Sequence, residues 1–400
     1  MAPEPGPAPS HAPSARSLPL RDIRVVALEQ AVAGPLCTRH LADLGAEVVK
    51  IERPDGGDFA RSYDSAVRGQ SAYFAWLNRG KRSVVLDLRS GPDREVLERL
   101  LDRADVFVHN LGPGSVDRLG LDPATIGARW PALVGCAISG YGADGPFRER
   151  KGFDLLLQGE SGLTATTGTP EEAAKVGISI ADIAAGMYAL SAILAALRDR
   201  DATGIGASID ISMLDCLAEW MTVPAYFAMY QGAPPARSGL RHGSIVPYGP
   251  FRVADGSVNL AVQNDRQWRR FCVEVLARPD LVTDPRFATN AARVRHRTEL
   301  EGLIEARLRG QPRSVVVARL EAADIPFGAL NDVDGLVAHE QLAARGRWFE
   351  FASPGGPIRA LVPPFGIAGL PLRADPLPGL GDDTAAVIAE LAEGTAAADS

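Results

Sequence analysis

The sequence is poor in cysteine, in histidine and in long apolar runs. Its 400 residues include four widely separated cysteines with no CxxC pair, and six histidines without metal-ligand spacing. We therefore expect a reduced, cytoplasmic setting, no disulfide framework and no bound metal. No stretch approaches the ~20 consecutive apolar residues that a bilayer-spanning helix needs, so we expect no membrane partner.

Excess positive charge is also absent. The formal net charge is −7, and no basic stripe marks a nucleic-acid-binding face, so we expect no nucleic-acid partner. Residues 1–17 are rich in Pro, Ala and Ser and lack an apolar core, which predicts a disordered tail and not a signal peptide. The remaining length, with 46% hydrophobic residues overall, suffices for two or more folded units.

From Ile23 the chain alternates short β-branched runs with helical segments. "IRVVALEQ", "AEVVKIERP", "RSVVLDLRS", "DVFVHNLGPG" and "ALVGCAISGYG" read as strands, with helices such as "GPDREVLERLLDRA" between them. This alternation predicts an α/β fold with a parallel sheet, in which ligands bind beyond the carboxyl ends of the strands. The rule directs attention to five places: Gln30–Pro35, Arg53, Leu86–Arg89, Asn110–Gly112 and Gly140–Gly145.

The second half of the chain predicts a smaller α+β domain. A Gly- and Pro-rich excursion around "YQGAPPARSGLRHGSIVPYGPF" separates it from the first part. The predicted boundaries are a first part of the large domain over residues 18–205, a linker over 206–240, a small domain over 241–328, and a return of the chain to the large domain over 329–400.

The motif "GYGADG", Gly140–Gly145, has the G-x-G-x-x-G spacing of a dinucleotide fingerprint. That fingerprint needs a helix to begin at the glycines, so that its N-terminus meets the pyrophosphate. Pro146 and "FRERKG" follow instead, which is a poor helix opening. We therefore reject nicotinamide binding here and predict a loop that lines a pocket, with Gly140 and Tyr141 as candidate substrate contacts.

A single acid, Asp182, lies in the apolar stretch "AKVGISIADIAAGMYALSAILAALRDR". Apolar residues recur after it at three- and four-residue steps, which predicts a helix that begins near Asp182, with this residue as its N-cap. Three cations near predicted strand ends, Arg53, Arg118 and Lys151, are each typical of a solvated surface. Together they suit a polyphosphate, and Asn110 and Gly112 provide a loop that a ligand could approach.

These motifs occur in the order found in class III CoA-transferases, the superfamily of formyl-CoA transferase and α-methylacyl-CoA racemase. The resemblance is carried by "AGPLCTRHLADLGAEVVKIERPDGGDFAR", "WLNRGKRSVVLDLRS", "ADVFVHNLGPGSVDRLGL", "ISGYGADGP" and "GISIADIAAGMYALSAILAALRDRDATGIG". It implies a Rossmann-like large domain that binds CoA, a smaller domain, and an interlocked homodimer. It also implies a CoA thioester as substrate, with no tightly bound cofactor and no metal.

The resemblance assigns roles to individual residues. Asp182 matches the family's catalytic aspartate, which forms mixed anhydrides and an aspartyl-CoA thioester while CoA passes from an acyl donor to a carboxylate. An ionised carboxylate does this chemistry, and a helix N-terminus favours that state. The positions that match the family's CoA contacts are Arg53, Leu86, Arg89, Asn110, Leu111, Gly112, Arg118 and Lys151.

One position separates the two branches of this superfamily. The racemase branch resembles the rest but carries a histidine directly before an acid, whereas this chain has Phe153 before Asp154. Phenylalanine cannot transfer a proton, which favours a transferase over a 2-methylacyl-CoA racemase. For Asp154, an orienting role in the site and a purely structural one are equally open.

The acceptor is expected to be a C4–C5 dicarboxylate. The chain lacks the glycine run of the formyl-CoA branch and is similar to mesaconyl-CoA C1–C4, itaconate and citramalate CoA-transferases. Arg241 and His242 could meet a second carboxylate, and solvated loop cations are an equally good interpretation. Where the formyl-CoA branch has a glutamine, this chain has Val32, so an amide role could pass to Gln30 or be lost.

Overall fold

The computed structural model describes residues 16–396, and within that range the chain forms two compact units. The large unit uses the chain up to Leu157, then Ile178–Glu219, and then the chain from Leu342. The small unit uses Gln158–Gly177 and Trp220–Gln341. Residues 1–15, which hold nearly all of the predicted N-terminal tail, lie outside the described part, as do residues 397–400.

Six parallel strands form the sheet of the large unit, in the order β3-β2-β1-β4-β5-β6. They are β1 (Arg24–Leu28), β2 (Glu47–Glu52), β3 (Lys81–Val85), β4 (Val106–His109), β5 (Val134–Ser139) and β6 (Ser208–Ser212). This is the Rossmann order, and the predicted α/β class is confirmed. Because the chain reverses direction across the sheet between β1 and β4, a crevice opens beyond the ends of these two strands.

Sixteen α-helices lie along the described chain. They are α1 (Ala33–Asp43), α2 (Ala72–Asn78), α3 (Gly91–Leu101), α4 (Pro123–Arg129), α5 (Asp154–Glu160), α6 (Leu163–Thr166), α7 (Ile180–Thr203), α8 (Met213–Trp220), α9 (Thr222–Gln231), α10 (Asp265–Arg270), α11 (Asn290–Arg295), α12 (Arg297–Leu308), α13 (Arg313–Ala322), α14 (Val333–Val337), α15 (Glu340–Ala344) and α16 (Thr384–Ala396). Short 3-10 helices cover Phe59–Ser62, Asp117–Leu119 and Pro279–Val282, and a π-helix covers Phe271–Val275.

The predicted β-branched runs form the buried centre of the large unit. Val25 and Val26 of β1 and Val106 and Phe107 of β4 are at most 2% exposed, since helices cover both faces of a parallel sheet. The loop after β5 runs without a helix to Asp154, as we predict from Pro146 and the residues that follow it. A hairpin of β10 (Trp348–Phe351) and β11 (Ile358–Leu361) also belongs to this unit.

The small unit has its own antiparallel sheet and core, as an α+β domain does. Its strands are β7 (Tyr248–Val253), β8 (Gly256–Ala261) and β9 (Phe327–Gly328). Trp268 and Phe271 are buried at the centre of its apolar core, together with apolar residues from α12 and α13.

The unit boundaries differ from the predicted domain boundaries in several places, and the small unit runs over 220–341 where we predict 241–328. Residues 208–212 of the predicted linker form β6, which pairs in parallel with β5 and completes the large sheet. Gln158–Gly177, predicted in the large domain, groups with the small unit because hydrogen bonds to its backbone carbonyls hold it there. For example, Arg237 donates to the carbonyl oxygens of Thr169 and Pro170, and the Gly239 N–H donates to the Gly168 carbonyl.

Helix α7 is long and apolar, although we expect no stretch of membrane-spanning length from the sequence. By length and composition it could cross a bilayer, and half of its most apolar stretch is buried inside the protein. The buried core helices of soluble proteins can have the same length and composition.

Gly186 brings α7 close to α1: a Cβ atom at this position would lie 2.7 Å from the Ala33 carbonyl oxygen. This helix therefore packs against α1 within the large unit.

Candidate active site

A cavity of about 710 Å³ lies beyond the carboxyl ends of β1, β4 and β5, entirely within the large unit. We call it the Asp182 cavity. It brings together eleven of the predicted site residues: Gln30, Val32, Asn110, Leu111, Gly112, Arg118, Gly140, Lys151, Phe153, Asp154 and Asp182.

Asp182 is not the N-cap that the sequence predicts. Helix α7 begins at Ile180. Ser179 occupies the N-cap position, but its side chain forms no capping hydrogen bond. Asp182 is thus the third helical residue and lines the cavity. The cap comes from elsewhere: the Asp154 carboxylate accepts a hydrogen bond from the Ala181 N–H at 2.8 Å. The carboxylate of Asp182 is therefore available to a ligand.

A second helix N-terminus meets the Asp182 carboxylate. The backbone N–H of Ala33, the first residue of α1, donates a hydrogen bond to it. No side chain caps α1 at Val32, so this N–H is one of the donors that a helix start leaves free. Asp182 is thus fixed between the first turn of its own helix and the first turn of α1.

The environment of Asp182 raises its proton affinity. Burial and the neighbouring Asp154 carboxylate together raise the pKa of Asp182 to about 7, although the Ala33 hydrogen bond acts in the opposite direction. The two helix starts therefore do not keep this group as acidic as we predict from the sequence, because desolvation and like charge outweigh them. Asp182 changes its protonation state near neutral pH.

The loop that precedes α1 is held in an unusual backbone conformation. Ala31 has a positive φ of 59°, which a residue with a Cβ atom adopts only under constraint. Asn110 fixes the preceding residue, since its side chain accepts from the Gln30 N–H and donates to the Gln30 carbonyl, both at 2.8 Å. The polar residues predicted at the ends of β1 and β4 therefore bind each other across the sheet's reversal point.

A second cavity of about 400 Å³, which we call the Arg53 cavity, lies beyond the ends of β1, β2 and β3. It contains the remaining predicted CoA contacts, Arg53, Leu86 and Arg89. Gln30 and Leu111 line both cavities. Every predicted CoA contact thus lies at one edge of the sheet.

The cationic side chains that line these two cavities have different hydrogen-bond and ion-pair partners. The guanidinium of Arg53 donates to the Gly57 carbonyl at 3.0 and 3.2 Å, and Arg118 donates to the Ser115 hydroxyl at 3.1 Å. Arg89 forms an exposed ion pair with Asp87. Arg150, which the sequence interpretation leaves out, also lines the Asp182 cavity and stacks on Phe147. Its only sequence signal is its place beside Lys151 in "RERK".

Three predicted substrate contacts lie outside the Asp182 cavity. Tyr141 packs edge-to-face against Phe147 and is absent from the cavity lining. Arg241 belongs to the small unit, where it forms ion pairs with Glu301 and Glu305. His242 belongs to the same unit and stacks on Tyr248. Contact of Arg241 and His242 with a second carboxylate stays a prediction.

Two tyrosines that sequence patterns do not single out also line the Asp182 cavity. Tyr63 and Tyr73 pack edge-to-face, with ring centroids 5.7 Å apart. Burial and the carboxylates of Asp58 and Asp182 raise the pKa of Tyr63 to about 12. Its phenol therefore stays a neutral hydrogen-bond donor.

Within residues 16–393, no group of three His, Cys, Asp or Glu side chains could hold a metal ion.

Comparison with known proteins identifies the family as that of the CoA-transferases. The sequence matches CoA-transferase family III over residues 20–384, and the chain belongs to this family. It is 36% identical to the succinate–glutarate CoA-transferase of Agrobacterium fabrum, covering 94% of this chain and 96% of that protein. It is 31% identical to the succinyl-CoA–D-citramalate CoA-transferase of Chloroflexus aurantiacus, covering 82% of each. A CAIB/BAIF family protein from Brucella suis has the same fold, with a TM-score of 0.81, 36% identity, and coverage of 94% of this chain and all of that one.

Proposed function

We propose that this enzyme transfers CoA from a dicarboxylic acyl-CoA such as succinyl-CoA to a C4–C5 dicarboxylate, with Asp182 as the covalent nucleophile. The observation that carries the proposal is the position of Asp182. Its carboxylate lines the Asp182 cavity, while the residue that caps its helix is Asp154. Relatives whose names include glutarate and D-citramalate support the choice of a five-carbon acceptor.

The chemistry follows from a partly buried carboxylate that lines a cavity. The ionised Asp182 attacks the thioester carbonyl, the C–S bond breaks, and a mixed anhydride and the CoA thiolate result. The thiolate then attacks the Asp182 carbonyl of the anhydride, which releases the donor acid and leaves an aspartyl-CoA thioester. The acceptor carboxylate attacks this thioester, and the returning thiolate cleaves the second anhydride at the acceptor carbonyl. Asp182 is regenerated as a carboxylate, and no proton is consumed.

The surrounding groups support separate parts of this reaction. The backbone N–H of Ala33 holds the nucleophile in place between attacks. The Tyr63 phenol, which lines the same cavity, is a neutral donor suited to a developing oxyanion. Arg53 and Arg118 supply charge at the sheet edge for the phosphates of CoA. We propose that CoA acts as a diffusible substrate and that no metal takes part in the reaction.

Two further parts of the proposal concern the assembly and its setting. We propose the interlocked homodimer that the family resemblance implies, and the cytoplasm as its location. Exposed apolar side chains support the dimer: on α9, Tyr226, Met229 and Tyr230 are 54%, 63% and 80% exposed. Light scattering of the purified protein tests the dimer, because a monomeric mass would contradict it.

The activity is tested by incubation of the enzyme with succinyl-CoA and one acceptor acid at a time, with acyl-CoA products identified by mass spectrometry. Glutarate, D-citramalate, itaconate, mesaconate and oxalate form the acceptor panel. We expect new acyl-CoA from the five-carbon acids and none with Asp182→Asn. Asp199→Asn, an exposed carboxylate on the same helix, is the matched control and should retain full activity.

The same enzyme preparation, given a 2-methylacyl-CoA in deuterated water, tests the racemase chemistry. If the α-proton of a 2-methylacyl-CoA exchanges in deuterated water while no CoA moves, the transferase proposal fails. Phe153 argues against that result, because it lines the Asp182 cavity next to Asp154 and cannot carry a proton.

A further inference from the structure

We infer that Asp58 is a positioning residue for the nucleophile: it holds Ala31 in its left-handed conformation and thereby directs the Ala33 N–H at Asp182. The inference rests on the proposed role of Asp182. Asp58 is 2% exposed, and its Oδ1 accepts a hydrogen bond from the Ala31 N–H at 3.0 Å. It acts through the loop and is not assigned a contact with the reacting atoms.

The loop depends on contacts with other residues because its backbone is strained. The left-handed region is unfavourable for a residue with a Cβ atom, and surrounding contacts must offset this strain. Ala31 occupies that region at φ 59°, two residues before the N–H that binds Asp182. If Ala31 relaxed to negative φ, the direction of the following residues would change, and the Ala33 N–H would leave the carboxylate.

Two side chains hold this loop from opposite sides. Asn110 binds both backbone groups of Gln30, and Asp58 binds the N–H of Ala31. The same Asp58 oxygen also accepts from the Ala60 N–H at 2.9 Å, which fixes the short helix at Phe59–Ser62. Asn110 is a predicted site residue at a strand end, whereas Asp58 lies in "RPDGGDFAR", the end of a motif that carries the family resemblance but assigns no role to this residue.

A buried charge cluster holds Asp58 in turn. Its Oδ2 accepts from the Lys50 ammonium at 2.9 Å, and Lys50 also binds the carbonyl oxygen of Glu29 at 3.2 Å. Lys81 binds the Glu29 carboxylate at 2.6 Å. The side chains of Glu29, Lys50, Asp58 and Lys81 are all fully buried. Two carboxylates thus meet two ammonium groups, and this buried cluster links Lys50 of β2 and Lys81 of β3 to Glu29, which directly follows β1.

The groups near Asp182 decide what a looser loop would change. Asp154 and burial raise the pKa of Asp182, the Ala33 N–H lowers it, and Tyr63 lines the same cavity. Loss of the Ala33 hydrogen bond therefore raises the pKa of Asp182 further and lets the carboxylate move. We expect a lower kcat and an acidic limb of the pH profile at higher pH, whereas binding of CoA depends on other residues.

The experiment uses Asp58→Asn, Ala31→Gly and the double variant. Asparagine has no charge and only one acceptor oxygen, whereas Asp58 uses one oxygen for the Ala31 and Ala60 N–H groups and the other for the Lys50 ammonium, so Asp58→Asn weakens the contacts that hold the loop. We expect kcat to fall roughly 10- to 100-fold with the KM for succinyl-CoA nearly unchanged, and the acidic limb to move to higher pH. Glycine adopts left-handed φ without strain, so Ala31→Gly added to Asp58→Asn should recover about 10-fold of the lost kcat.

Matched variants separate positioning from general stability. Asp122→Asn alters another aspartate that accepts from two backbone N–H groups, those of Ala124 and Thr125, and should leave kcat and the pH profile unchanged. If Asp58→Asn does not fold, Ala31→Val tests the same point with Asp58 intact. Valine tolerates positive φ poorly, so kcat should fall and the acidic limb should shift in the same direction.

Three results would overturn the inference. The first is a folded Asp58→Asn enzyme with normal kcat and an unmoved acidic limb. The second is a loss of kcat that Ala31→Gly does not reduce. The third is an Ala31→Val enzyme with normal kcat and pH profile. Asp182→Asn, measured in parallel, shows which proposal fails: if it transfers CoA, the proposed nucleophile is wrong, and if it is inactive while Asp58→Asn is normal, only the positioning role is wrong.

Discussion

The carboxylate of Asp154 caps helix α7 by accepting a hydrogen bond from the Ala181 N–H, 2.8 Å away and 27 positions later in the chain. The next residue is Asp182, whose pKa is raised in part by the same carboxylate. Asp154 therefore fixes the start of the helix that carries Asp182, the proposed nucleophile, and contributes, after burial, to the raised pKa of that residue. The contact fits both roles that the sequence leaves open, because a helix cap is a structural hydrogen bond that also orients the residues beside it.

Replacement of Asp154 by asparagine separates these two effects. The amide oxygen can still accept the Ala181 N–H, but the negative charge beside Asp182 is gone. We expect the pKa of Asp182 to fall, so that the acidic limb of kcat/KM against pH moves to lower pH. Asp154→Ala removes the cap as well and should cost about 1 kcal/mol of unfolding free energy. If the limb stays in place in both variants, Asp154 does not influence the nucleophile.

Gly186→Ala tests whether the close packing of α1 and α7 positions the nucleophile. An added Cβ atom would lie 2.7 Å from the Ala33 carbonyl oxygen and 3.2 Å from the Leu36 Cβ, so the two helices must separate. We expect a loss of about 1–3 kcal/mol in unfolding free energy and a lower kcat, since Ala33 also provides the N–H that binds Asp182.

Gly302→Ala is the control for this change. Gly302 lies within α12, and its added Cβ atom would meet nothing within 4 Å. Alanine is the better helix former, so this variant should be more stable by about 1 kcal/mol and fully active. Equal effects of the two substitutions in thermal unfolding and in kcat would contradict the close-packing account.

Asp182→Asn should stabilise the protein at alkaline pH. The folded pKa of Asp182, about 7, lies above its ordinary value of 3.8, so its stability contribution falls as the pH rises from about 4 to 7. Asparagine avoids this cost, and we expect roughly 1–3 kcal/mol more unfolding free energy than in the unmodified protein at pH 8. Denaturant unfolding at pH 4 and pH 8 checks this, and a difference that does not grow with pH would contradict it.

Much of the large unit can be predicted from the sequence because buried parallel strands leave a strong signal. Runs such as "VVAL" and "VFVH" flanked by helical segments become β1 and β4, and the strand-end rule leads to Gln30 and Asn110. Family motifs supply Asp182. The rule succeeds because the carboxyl ends of all six strands share one edge of the sheet.

The supports of the site are not predictable in this way, because they are long-range. Lys50 in "VVKIE" reads as a solvated strand residue, yet it is fully buried against Asp58 and Glu29. The helix cap at Ala181 comes from Asp154, so a local capping rule assigns it to the wrong aspartate. The positive φ of Ala31 has no sequence signal, since it is imposed by contacts and not by a glycine.

The central claim, covalent transfer through Asp182, is tested most directly by oxygen transfer. The enzyme is turned over once with succinyl-CoA and glutarate labelled with ¹⁸O in its carboxylates, and the peptide that contains Asp182 is then weighed. In the proposed path the acceptor attacks the aspartyl thioester and leaves one oxygen on the enzyme, so the peptide gains about 2 Da. Glutaryl-CoA formed with no gain in peptide mass would contradict the account, because the acceptor would then have attacked the donor thioester directly.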